Sequence, residues 1–251
     1  MIITYGNLAV PGVTISASSV GAGYAASNVL NPHKAKVWRT GTSTASEWIE
    51  IDFGSAVAVT HLGLVAHDFT GGDTIRIKGN ASSSWGSPSV NVLITAAAPN
   101  QIVSLGGTQT YRYWRLEVTK ASSGVTRQLG AILLGTAYTF AELPSYDGYS
   151  DTRVDPSRNT KAIGGQEYSE VLPKYREFSM DWSMVDSTMA TNIRTVINSL
   201  GTTQPCLFSV DAGGELTEVV YAKLRKLPTI KAHGYDSSLR WDFSLDFEEM
   251  L

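Results

Sequence analysis

Cysteine is almost missing from this sequence: Cys206 is the single one among 251 residues. One thiol cannot close an intrachain disulfide, and it excludes a multi-cysteine zinc site. Charge is scarce too. Asp, Glu, Lys and Arg make up 17% of the chain, against ~25% in an average soluble domain. The net charge is -3, and the main basic stretch is the mixed Lys223-Leu224-Arg225-Lys226, so electrostatic capture of nucleic acid is not expected. No apolar run approaches the ~20 residues of a membrane helix, so no membrane insertion is expected. The opening residues, Met1-Ile2-Ile3-Thr4-Tyr5-Gly6-Asn7, have neither a basic leader nor a small-residue cleavage site. Together with the lone thiol, this predicts synthesis in a reducing cytoplasm without export by the usual route.

Signatures of catalysis are also lacking. There is no G-x-S-x-G with a histidine partner, no P-loop, no dinucleotide fingerprint and no H-E-x-x-H. Between residues 20 and 46 there is no Asp or Glu, so the turn-rich segment there lacks the oxygens a hard cation wants. His61 and His67 stand alone near a strand, where a histidine is usually satisfied or exposed. Glu50 and Asp52 lie two apart on one strand face, and such a pair hydrolyses glycosides only where two carboxylates converge on a substrate. The expectation is a protein that is not an enzyme and holds no cofactor or metal.

What is present is apolar and aromatic: 43% hydrophobic residues, 10% aromatic, with a polar complement of Ser, Thr, Gly and Tyr suited to contact with proteins or sugars. The length allows two domains of ~100 to 150 residues. Trp48-Ile49-Glu50-Ile51-Asp52-Phe53-Gly54 reads as a half-buried strand closed by a turn, and residues 57–65 as a second strand. Thr74 to Asn80 alternates, apolar inward and polar outward. Trp85 follows in a Ser/Gly/Pro loop. Residues 90–94, 101–105, 111–118 and 131–135 supply further strands, about eight in all, which fits a sandwich or jelly roll.

Five stretches together resemble the discoidin family, the galactose-binding-like jelly rolls related to the C domains of coagulation factors. They are the loop Ala25-Ala26-Ser27-Asn28-Val29-Leu30-Asn31-Pro32, Trp38-Arg39, the W-I-x-I-D-hydrophobic-G strand at 48–54, the alternating strand at 57–65, and Tyr113-Trp114-Arg115-Leu116-Glu117-Val118. The resemblance covers residues 1–137. It implies a jelly-roll β-sandwich in which Trp38 plugs the end beneath Trp48, with surface loops that can meet a glycan. Trp85, Tyr24, Phe69, Arg39 and Arg127 are the candidates for that contact. Trp38, Trp48, Ile51, Phe53 and Trp114 are the expected core.

Beyond residue 137 the pattern changes. Residues 138–165 mix turn formers and aromatics without a sustained period, as an ordered connector or arm would. In 166–251, Phe178, Met180, Trp182 and Met184 stand at period two. Asp186 then offers an N-cap to a helix over about 186–200, with Met189, Ile193, Val196, Ile197 and Leu200 on one face. Residues 205–210 and 218–224 read as a hairpin and 239–249 as a long final strand, with Trp182 and Trp241 in the core. This predicts a second β-sandwich flanked by one helix. At the level of pattern, residues 160–251 resemble the small tail-assembly domains of bacteriophages. That resemblance implies a structural subunit of a phage tail or tail tip, made in the host cytoplasm and residing in the virion. Its second domain would join a homo-oligomeric ring beside other tail proteins, and its first would face host surface glycans. The alternative is a carbohydrate-binding module or accessory domain of a bacterial cell-surface protein.

Overall fold

The computed structural model describes residues 1–7, 12–41, 45–145, 147–210, 218–235 and 238–251. The chain is mainly β, with one α-helix among the described residues. It divides into two units, Met1–Thr139 with Cys206–Tyr221, and Phe140–Pro205 with Ala222–Leu251. The sequence pattern grouped 206–221 with what precedes and follows it. In the structure, Ile2 and Ile3 pair with Ser209 and Phe208, and the Thr4 hydroxyl accepts from the Leu207 amide at 2.8 Å. The strand Cys206–Ser209 is buried at every position, so it needs neighbours on both faces.

Two long antiparallel strands, Ser46–Val65 and Gln101–Thr119, carry the first unit. The sequence suggested two strands in each place. The chain runs on, but the pairing slips between Asp52 and Val57 and again between Val59 and His61. Such irregularities bend a ladder without ending it. Gly54, Gly106 and Gly107 take positive φ at these bends, where a side chain would be strained. The late part of Ser46–Val65 pairs with Ala131–Thr139, which Ile2–Tyr5 extends. Its early part pairs with Thr14–Ala17. On the far side of Gln101–Thr119 lie Thr74–Asn80 and then Val90–Ile94.

The core of this unit gathers Trp38, Ile49, Ile51, Leu62, Leu64, Ile75, Ile77, Trp114, Leu116 and Val118, all buried. Alternation along a strand sends odd and even residues to opposite faces. Ile49 and Ile51 therefore face the core, with Phe53 half-buried at its edge. Trp48 has the other parity: it lies on the outer face with Glu50 and Asp52, only half-buried, which corrects its place in the expected core. The Trp114 ring covers Gly79, where a Cβ would stand 3.1 Å from it.

In the second unit, Tyr175–Val185 runs between Tyr149–Val154 and Ser238–Glu249, antiparallel to both. Residues 222–224 and Lys231–Tyr235 pair with different halves of Ser238–Glu249. The helix spans Ser187–Leu200. It begins where the Asp186 carboxylate accepts from the Met189 amide at 2.7 Å, and it ends at Gly201 with φ 56°. Met189, Ile193, Val196, Ile197 and Leu200 are buried along it. Phe140, Trp182 and Phe243 stack in sequence, with centroids 4.9 and 5.1 Å apart.

Two expectations for this core change. Met184 was placed inward by period two, but the strand bulges between Trp182 and Val185. Met184 turns out to solvent at φ 60° and Val185 is buried in its stead. Trp241 has the inward parity but is only half-buried, with the Arg194 guanidinium 4.3 Å above its ring. Across the boundary expected between the connector, 138–165, and the second domain, Arg158–Lys161 and Glu167–Glu170 form a two-stranded hairpin.

Candidate glycan-binding surface

Five residues were singled out for sugar contact, and the fold distributes them between two places. The first is built on a short ladder in which Trp38 pairs with Leu129 and Arg39 with Gln128. Trp38 and Leu129 are buried, so alternation turns Arg39 and Gln128 outward. Arg39 donates to the Gln128 side-chain carbonyl at 3.1 Å, and its guanidinium lies over the Tyr24 ring, 3.9 Å from the centroid. A turn fixes Tyr24: its amide donates to Gly21 O at 2.9 Å, and the Gly21 amide donates to Arg39 O at 2.8 Å. On the other side the Gln128 backbone amide donates to the exposed Asp68 carboxylate at 2.7 Å. The result is a strip of ring, guanidinium, amide and carboxylate at the surface.

Arg127 and Phe69 border this strip but are spoken for. The Arg127 guanidinium donates to both oxygens of Asp73, at 2.6 and 3.1 Å. Asp73 is buried and also accepts from the Thr70 and Ala121 amides. Burial pushes its pKa up, but the bonds from Arg127 and the two amides outweigh that and hold it at about 2. Phe69 is 6% exposed and stacks on the buried His67 ring at 4.8 Å, so no face is offered to a ligand. Both are corrected from sugar contacts to structural parts. Burial holds the His67 imidazole below its ordinary pKa, against the opposing pulls of Asp68 and of the neighbouring Gln101 side chain.

Trp85 lies elsewhere, in the loop that follows Asn80. Thr74, next to Asp73, and Asn80 end the same seven-residue strand, roughly 20 Å apart at the usual rise. Trp85 donates to Glu50 at 2.8 Å, Ser83 donates to the other Glu50 oxygen at 2.7 Å, and Arg115 donates twice, at 3.1 and 2.7 Å. The Arg115 guanidinium lies 4.0 Å from the Trp48 ring centroid and 4.6 Å from that of Trp85. Lys78 and Glu117 pair beside it at 2.8 Å. Glu50 is 8% exposed, and its four acceptor contacts leave little for a sugar hydroxyl. This is a closed network that pins a loop. The Asp of the same strand has a similar duty: Asp52 accepts from the Gly54 amide at 2.7 Å and from two Arg112 nitrogens.

Gln128, Asp68 and Glu50 were not foreseen as members of these sites. Alternation carried a signal for Gln128, a polar residue next to the apolar Leu129, and for Asp68 between His67 and Phe69. The Glu50 to Arg115 pair depends on strand register and has no local signal. In the second unit a cleft of about 660 Å³ is lined by Asp181, Trp182, Lys226, Asp242, Phe243 and Ser244, among others. Its acids do not converge on an empty centre, because Asp181 binds the Ser244 hydroxyl and Asp242 binds the Met184 amide and His233.

No family model matches the chain, and no curated protein matches it. Solved structures do. Chitosan-binding module 1 of a chitosanase/glucanase from Paenibacillus sp. IK-5 is 21% identical, covering 52% of this chain and 98% of that one, with a TM-score of 0.43. A Streptococcus pneumoniae fucose binding module is 17% identical over 53% of this chain and 98% of its own, TM-score 0.43. The lectin domain of lectinolysin, solved with Lewis B antigen, is 16% identical over 51% of this chain and 94% of its own, TM-score 0.43. These three are sugar-binding modules, and they lend no support to the bacteriophage-tail resemblance of 160–251.

Proposed function

We propose that the first unit is a carbohydrate-binding module and that Tyr24, Arg39, Gln128 and Asp68 form its site. The observation that carries this is the side-by-side placement of a half-exposed aromatic ring, a guanidinium, a side-chain amide and an exposed carboxylate around one short ladder, which supplies Arg39 and Gln128 while Tyr24 and Asp68 flank it from loops. A pyranose presents apolar C–H faces and a rim of hydroxyls, so a ring and mixed donors and acceptors are the groups that recognise it. The protein acts by binding and not by catalysis. Glycan-array screening of the full chain, followed by titration calorimetry with the best soluble sugar, tests the assignment. Tyr24→Ala and Arg39→Ala each weaken binding about tenfold or more, ~1.4 kcal/mol, while Trp85→Ala leaves it unchanged. A Trp85→Ala loss with Tyr24→Ala intact moves the site to the other cluster.

A second reading is favoured by the hairpin at 158–170, in which no residue is buried. A chain that keeps such an arm in solution suits a subunit of a larger assembly, such as a bacteriophage tail or tail tip whose sugar-binding units face outward. Rings of this kind would turn weak sugar contacts into avidity. Electron microscopy of the purified chain, or of its source particle, tests it; uniformly single molecules in both would end it.

A further inference from the structure

The hairpin offers more than an exposed arm. Every residue from 158 to 171 is exposed, and the ladder is two strands only, Arg158–Lys161 against Glu167–Glu170. A two-stranded ribbon alone in water is marginal. Among the described residues each of its strands has one ladder partner only, the other strand of the hairpin, which leaves an edge of amides and carbonyls as the template on which another strand adds. Ile163 at the tip, Tyr168 and Val171 are apolar groups set fully or largely in solvent.

Charge is sorted between the two strands. Arg158-Asn159-Thr160-Lys161 carries two cations and no anion, and Glu167-Tyr168-Ser169-Glu170 carries two anions and no cation. Within the hairpin Arg158 faces Glu170 and Lys161 faces Glu167. Among the described residues, ion pairs are formed by Lys174 with Asp155 and by Arg176 with Glu249 and Asp151, but not by any of the four hairpin charges. One edge of the ribbon is thus cationic and the other anionic.

We propose that this hairpin joins copies of the chain head to tail: the Arg158–Lys161 edge of one copy adds to the Glu167–Glu170 edge of the next, continuing the antiparallel ladder. The occupant is a second copy because the arm carries both halves of the match on its own two edges, whereas a foreign strand would answer only one of them. Opposite charges facing across strands stabilise such pairs and like charges oppose them. The contact is heterologous, so it closes into a ring if the rotation between copies allows and otherwise grows as a filament. The inference deepens the assembly reading above but stands on the arm itself, and it is independent of any sugar.

Charge exchange between two variants tests it. The chain with Arg158→Glu and Lys161→Glu has two anionic edges, and the chain with Glu167→Lys and Glu170→Lys has two cationic ones. Sedimentation velocity over a range of concentrations at low salt follows the wild type, each variant and their equimolar mixture, with circular dichroism confirming the fold. The wild type self-associates and dissociates in molar salt. Each variant alone stays a single molecule, and the mixture reassembles with copies alternating. Both variants also put like charges opposite one another within their own hairpins, and reassembly of the mixture is the one outcome that mere damage to the arm could not produce. A wild type that stays single at every concentration, a variant that assembles as the wild type does, or a mixture that fails to reassemble overturns the proposal. Calorimetric affinity for a monovalent sugar stays the same in all of them, which separates failure here from failure of the sugar-binding reading.

Discussion

Arg115 and Arg39 both lie over aromatic rings in the first unit, yet one belongs to a closed structure and the other to an open one. Arg115 is held between Trp48 and Trp85 over the nearly buried Glu50, which also takes the Trp85 and Ser83 donors. Arg39 lies on Tyr24 and spends one side-chain bond on an amide, beside an exposed acid. The residue types are nearly the same. The difference is a buried carboxylate: Glu50 ties down Arg115 together with the Trp85 and Ser83 donors and is itself filled by their four contacts, so neither the acid nor these donors are turned to a ligand. Aromatic content alone would rank the tryptophan cluster first as a sugar site, and hydrogen-bond accounting reverses that order.

Several substitutions would break or sharpen this contrast. Glu50→Ala has the largest expected effect: it strips four contacts at once and leaves Arg115 half-buried without its counter-ion, costing about 3 kcal/mol. Urea unfolding of the full chain measures this, and glycan affinity should persist because the proposed site lies at the far end of the strand Thr74–Asn80 from this cluster. A cost under ~1 kcal/mol would mean the cluster is not closed.

Asp73→Asn comes next, at about 2 kcal/mol near neutral pH. The Asp73 carboxyl titrates at about 2 in the folded chain against an ordinary 3.8, so the folded state binds fewer protons across that window. Its stabilisation is complete above pH 3.8 and is lost as the pH falls through 3.8 towards 2. The variant should flatten that part of the stability curve, and an unchanged acid limb would contradict the assignment.

Arg39→Ala makes the opposite prediction. Its stability stays within ~0.5 kcal/mol, as for a surface substitution, while sugar affinity falls about tenfold. The smallest effect is expected at His67. Its pKa is depressed by burial from the ordinary 6.5, so the stability tied to the neutral ring is complete above that pH. That contribution is lost as the pH drops below 6.5 towards the folded-state value. His67→Leu should remove this slope from thermal melts between neutral and mildly acidic pH, and a slope that survives would place its origin elsewhere.

Local pattern was enough for much of this. Period two marked the strands around Ile49, Ile77 and Met180, and the Asp186 cap with its apolar spacing marked the helix, because these features depend on residues a few positions apart. Parity decided Trp48, and the bare alternation of Trp48-Ile49-Glu50-Ile51 contained it, though the bulk of the indole suggested the core. Met184 was not legible, since a bulge inserts a residue without a local mark. Arg127 likewise gave no sign of its partner, because Asp73 lies 54 positions away.

The sequence by itself determined the β character, the helix and its caps, the odd-residue core of the W-I-x-I-D strand, and the sorting of charge between 158–161 and 167–170. Only the tertiary structure decided that Cys206–Ser209 returns to the amino-terminal strand, that Glu50 closes over Arg115 and Trp85, and that Tyr24, Arg39, Gln128 and Asp68 share one surface. The physical reason is range: propensity, capping and alternation act through neighbours along the chain, whereas saturation of a charge or completion of a site depends on which distant strands the fold brings into register.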